Sequence, residues 1–154
     1  HGDIRRGQEL ASPGHLHADT LVTARLEMLP QVIRPLKDRA AVRLHLGTAE
    51  INCSVKLLDK EKLEPGQEGL VQFYLREPAV SVWGQPFVIR TESPMVTIGG
   101  GTILDPAATK LRIIDDEVLK QVQLLDSKDP LERAAAAWSQ KVQYQKSLRR
   151  TPGR

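Results

Sequence analysis

His45 and Glu50 flank a Gly47-Thr48 pair, so a two-residue hairpin loop there would set an imidazole opposite a carboxylate. Such a pair can pass a proton, but acid–base catalysis also needs a nucleophile, and none is supplied nearby in sequence. Cross-strand His–Glu pairs are common on sheet surfaces, and a surface role is the expectation. Gly99-Gly100-Gly101 invites a phosphate-loop reading, yet no Lys-Ser/Thr follows and the glycines sit within a strand-like run. Glycines in a strand mark a bulge, a tight bend or a close approach by another backbone, and an RNA phosphate is one group that can make that approach. His15 and His17 share one loop while His45 is remote, so no metal-ligand spacing arises. Lys37, Arg39 and Arg43 form a modest basic cluster of the kind that meets phosphates. Catalytic and metal-ligating residues are therefore not expected, and binding chemistry is.

These residues must be held by a sheet. Val42, Leu44 and Leu46 share one apolar phase, and Ala49, Ile51, Cys53, Val55 and Leu57 share the other. A turn at Gly47-Thr48 merges them into one face, with Leu46 opposite Ala49, Leu44 opposite Ile51 and Val42 opposite Cys53. Arg43 then faces Asn52 on the polar side, and His45 faces Glu50. A strand is predicted from Asp19 to Leu29, and Pro30 and Pro35 bracket an irregular connection. Glu64-Pro65-Gly66 turns the chain into a strand whose Val71, Phe73 and Leu75 point inward. Pro78 to Trp83 reads as an interrupted edge segment, followed by strands over Pro86 to Arg90 and from Met95 through the glycines. About six short strands with regular turns imply a mainly β fold, a small antiparallel barrel or sandwich.

After Asp105-Pro106 the period becomes helical. Asp115 or Asp116 can cap a helix with a stripe of Val118, Leu119, Val122 and Leu125, and Asp129-Pro130-Leu131-Glu132 opens a second short helix in which Trp138 is the expected packing anchor. The net charge of +3 is not spread over the chain: residues 1–106 carry 12 basic and 13 acidic side chains, and 107–140 carry five and six. The excess lies in Lys141, Lys146, Arg149, Arg150 and Arg154, a tail over 141–154 expected to be a solvated or disordered end or an RNA or ribosome contact. Cys53 stands alone, which excludes an intrachain disulfide and fits a reducing compartment. Without an apolar run of roughly 20 residues or a signal-peptide pattern, a cytoplasmic chain without membrane contact is expected. It begins at His1 in mid-sentence, as a piece of a longer protein would.

Ile4-Arg5-Arg6-Gly7-Gln8-Glu9-Leu10-Ala11-Ser12-Pro13-Gly14 resembles the closing turn of the second domain of elongation factors that carry aminoacyl-tRNA. Residues 18–106 resemble their third domain, a six-stranded antiparallel β-barrel. Arg43 to Glu50, Ser93-Pro94 and Thr97 to Pro106 together are most similar to selenocysteine-specific elongation factors. Asp129-Pro130 resembles the approach to that family's winged-helix region, which makes 107–140 a helical linker.

The resemblance implies that residues 1–17 end a second-domain barrel and that the third-domain barrel holds the T-stem side of selenocysteinyl-tRNA. It places RNA contacts at Lys37, Arg39, Arg43 and His45, with Gly100 and Gly101 as backbone that a phosphate can approach. Further implied partners are the ribosome and the protein's own GTPase and second domains, with an mRNA hairpin met only through winged helices outside these residues. GTP and Mg²⁺ belong to that GTPase domain, so the chain itself is expected to bind no cofactor and catalyse nothing. An alternative is a barrel from another translational GTPase that contacts protein and never RNA.

Overall fold

Alternating apolar side chains commit residues 19–105 largely to strands, and closure of the sheet gives those side chains a common interior. The computed structural model describes residues 18–111 and 114–150. Its strands are β1 (Asp19–Met28), β2 (Leu36–Lys37), β3 (Ala40–Leu46), β4 (Ala49–Leu57), β5 (Lys62–Leu63), β6 (Glu68–Ala79), β7 (Pro86–Arg90) and β8 (Thr97–Asp105). Six of them close an antiparallel barrel in the order β1-β6-β4-β3-β7-β8, with β8 returning to β1. β2 and β5 form a separate two-stranded sheet.

The β3–β4 register is the one the alternation requires: Leu46 lies opposite Ala49, Leu44 opposite Ile51 and Val42 opposite Cys53. Gly47 turns the hairpin with φ +61, a conformation that favours glycine. Val22, Leu26, Leu44, Val55, Val71 and Ile89 are buried in the barrel interior, where Phe73 meets Phe87 edge-on at 5.2 Å between ring centroids. An edge-to-face pair of this kind contributes about 0.5–1.5 kcal/mol beyond its buried area.

The glycines of β8 answer to their neighbours. A Cβ on Gly99 would lie 2.7 Å from the Glu27 carbonyl oxygen, one on Gly100 would lie 2.7 Å from that of Phe87, and one on Gly101 would overlap that of Arg25. Strands β1 and β7 thus close on β8 more tightly than any side chain permits. Pro78 and Ala79 do not form an edge segment of their own: they end the twelve-residue β6, where Ala79 pairs with Asp19 across an irregularity in the β1–β6 ladder. Such a break tolerates the missing proline N–H.

Cys53 is buried and inward-facing, and burial pushes its thiol up from 9.0 to about 12. The folded state then keeps a proton that the unfolded state releases, so stability is full below pH 9.0 and falls as pH rises toward about 12. Alkylation at pH 8.5 is expected to proceed only through unfolding, and mass spectrometry of native against urea-treated protein checks this.

The chain divides between Ala107 and Ala108 into two compact units. In the second, α1 (Asp116–Leu124) is capped by Asp115, whose Oδ1 accepts from the Val118 N–H at 2.9 Å, and Val122 and Leu125 are buried. α2 (Pro130–Arg150) packs on α1, and Asp129 Oδ1 accepts from the Leu131 N–H at 3.0 Å at its start. Two expectations change here. α2 is long, continuing through 141–150, because no glycine or proline interrupts those residues before Pro152. Trp138 is 69% exposed, while Ala136 and Gln140 take the buried positions. The expected second-domain end, with His15 and His17, lies outside the described residues.

Candidate nucleic-acid interface

The outer face of the barrel sorts the predicted residues into two neighbourhoods. One surrounds the start of β3. Leu36 and Lys37 reach it on β2, held opposite Leu63 and Lys62 of β5, with both leucines buried and Lys37 exposed. This pairing sets two lysines directly opposite each other, which is unfavourable in itself, and among the described residues only Lys62 has an ion-pair partner, Glu64 at 3.3 Å. The turn that follows is pinned by Asp38, whose Oδ1 accepts from the Leu57 N–H at 2.8 Å. Arg39 then adopts φ +70, and its N–H donates to the Val55 carbonyl at 2.6 Å. Left-handed backbone costs a residue with a Cβ about 1–2 kcal/mol. The Arg39 side chain is 69% exposed, with Asp38 Oδ2 4.0 Å from its Nε.

Tyr74 adds an aromatic ring beside this turn. It pairs with Ser54 of β4 and Leu21 of β1, and burial pushes its phenol up, with Arg39 opposing the shift and Asp38 adding to it. Its outward phase was readable from Phe73 and Leu75 pointing inward; its proximity to Arg39 was not.

The second neighbourhood lies further along β3. Arg43 sits between Asn52 and Arg90, and its guanidinium meets Glu50 at 3.2 Å and Glu92 at 3.6 Å. Its charge is largely answered within the barrel. Arg90 is a cation that the sequence reading missed: its Nε donates to Thr97 Oγ1 at 3.1 Å, and a terminal nitrogen points at Met95 Sδ at 3.6 Å. The next row runs Glu50, His45, Val88, Gly100, Glu27 across β4, β3, β7, β8 and β1. His45 Nε2 is 4.0 Å from Glu50 Oε1, which also engages Arg43. Val88 is exposed in the middle of this row, and carboxylates close both ends. Gly101 shares the register of Leu26 and Phe87 and so turns toward the core, leaving Gly100 as the bare position outside.

No group of three or more possible metal ligands occurs among the described residues. Nor is any described helix long and apolar enough to cross a membrane. Of the predicted cations, Lys37 and Arg39 at the start of β3 are the exposed ones, while Arg43 is engaged by carboxylates.

Residues 23–110, more than half of the chain, match the family described as selenocysteine-specific elongation factor, beta-barrel domain. The chain belongs to this family. A selenocysteine-specific elongation factor from Desulfomicrobium baculatum is 34% identical over 110 residues, which cover 71% of this chain and 17% of that relative. The chain therefore spans about a sixth of the relative's length. In this selenocysteine-specific elongation factor barrel, Lys37, Arg39, Arg43, His45, Gly100 and Gly101 all fall within the matched span.

Proposed function

We propose that this barrel grips the stem of selenocysteinyl-tRNA, so that a GTPase module elsewhere in the full-length factor can deliver it to the ribosome. Its contribution is positional. Lys37 and Arg39 supply charge to the RNA backbone, Arg43 and His45 lie along the same strand, and Gly100 offers bare backbone beside Gly101. GTP and Mg²⁺ are assigned to the GTPase module, and mRNA recognition to winged helices.

The observation that carries this reading is the start of β3, where Arg39 occupies a backbone conformation that would suit glycine better. Lys37 faces Lys62 in the same place. Local rules broken at one spot, with the cationic ends left exposed, fit a surface kept for an anionic partner.

Arg39→Gly tests the reading because it removes the charge and relieves the backbone together. Stability is expected to stay within about 1 kcal/mol of wild type, since relief of the left-handed penalty offsets glycine's added unfolded-state freedom. Affinity for selenocysteinyl-tRNA should fall about fivefold to tenfold, and the slope of log K against log salt should flatten by about 0.9. Filter binding at several salt concentrations measures both. Wild-type affinity with an unchanged slope would remove Arg39 from the site.

The alternative, a protein-contacting face, is favoured at one row only, where exposed Val88 and bare Gly100 lie between Glu50 and Glu27. Docking there would show little salt dependence.

A further inference from the structure

The second half of α2 carries Lys141, Lys146, Arg149 and Arg150 and no acidic residue, and it holds most of the positive excess of the whole chain. Attraction to the helix C-terminus favours cations in the last turn. It does not reach Lys141, more than two turns before the end of α2, nor account for an aromatic ring beside it. Trp138, Lys141, Val142, Gln145 and Lys146 line one shallow groove along the helix. Trp138 is 69% exposed, and neither lysine has an ion-pair partner among the described residues. An apolar partner fits this face poorly, because covering Trp138 and Val142 would also bury two ammonium groups. A polyanion with flat apolar rings matches it group for group: stacking on the indole, an amide from Gln145 for a base edge, and ammoniums for phosphates.

We propose that this face of α2 is a second RNA-binding surface, on which Trp138 stacks on a base of single-stranded RNA while Lys141 and Lys146 hold the flanking phosphates. This proposal does not rest on the barrel reading.

The test uses the full chain with Trp83→Phe, which leaves Trp138 as the sole indole, and a short oligouridylate as probe. Trp138 fluorescence is expected to be quenched on binding. With two phosphate contacts, affinity should fall about sevenfold from about 50 to about 200 mM salt. Lys141→Gln with Lys146→Gln should weaken binding at low salt and abolish most of that dependence. Trp138→Ala, followed by oligouridylate anisotropy, should weaken it about tenfold. Alanine at Lys37, Arg39 and Arg43 should leave the quenching intact, and this separates the α2 surface from the barrel reading. Absence of quenching, quenching unmoved by the two glutamines, quenching lost in the barrel variant, or an equal response to polyglutamate would each overturn the proposal.

Discussion

Gly101→Ala is expected to destabilise the barrel by about 3 kcal/mol, the upper range for forcing a methyl group into a closed interior. The new Cβ would overlap the Arg25 carbonyl oxygen, which is backbone and cannot rotate away. Gly101 is paired on both sides, with Leu26 of β1 and Phe87 of β7, so relief requires β8 to separate from β1 and weaken the ladder that closes the barrel. Gly69→Ala is the matching control. Its Cβ would meet Asp59 Oδ1 at 3.0 Å and Leu63 Cδ1 at 3.2 Å, side-chain atoms that need to shift by only a few tenths of an ångström, and a cost of about 1 kcal/mol is expected. Urea titrations of the three proteins measure the difference as a shift in midpoint at constant slope. Equal midpoints for the two variants would mean that the close approach of β1 does not fix residue 101.

This contrast also marks what the sequence makes legible. Gly47 and the phase change around it define a local problem, two strands and one turn, and the whole β3–β4 register follows from them, including Arg43 opposite Asn52 and His45 opposite Glu50. Six strands and two helix starts were legible for the same reason, since alternation, turn residues and acidic caps act over a few residues. The triglycine signalled a close approach, but not that Arg25, Phe87 and Glu27 supply the crowding carbonyls. That depends on β8 lying between β1 and β7, a pairing across many residues.

The site divides in the same way. Lys37, Arg39 and Arg43 stand out as charges close together in sequence, whereas their environments differ for non-local reasons. Arg43 meets Glu92 because β7 pairs with β3, and Arg90 arrives beside it through the same pairing. Nothing in the residues around Arg39 announces a positive φ, since neither glycine nor asparagine stands there. The turn is imposed by Asp38 capping the Leu57 N–H and by the Val55 carbonyl accepting from Arg39. The basic run after residue 140 misled because charge alone does not distinguish a solvated tail from a helix. Lysine, glutamine, leucine and arginine are all good helix formers, and their propensity extends α2 to Arg150.

Those environments set the size of the second effect. Replacing Lys37, Arg39 and Arg43 together with alanine is expected to lower affinity for selenocysteinyl-tRNA about a hundredfold at low ionic strength, with Lys37 and Arg39 contributing about tenfold each. Counting three cations alone would flatten the salt slope by about 2.7, at about 0.9 for each phosphate neutralised. Arg43, however, already lies 3.2 Å from Glu50 and 3.6 Å from Glu92, and its side chain is only 28% exposed. A cation answered by two carboxylates releases few counterions from RNA, so the expected flattening is about 1.8, the share of Lys37 and Arg39. Arg43→Ala alone should then leave the slope nearly unchanged, with a stability cost below about 1 kcal/mol for its half-exposed ion pairs. Circular dichroism of the triple variant should retain the barrel's signature, because none of the three side chains belongs to the buried core. A flattening near 2.7 would show that RNA displaces Glu50 and Glu92 and claims Arg43 for itself. Unchanged affinity in the triple variant would exclude the start of β3 as the place where the tRNA stem is held.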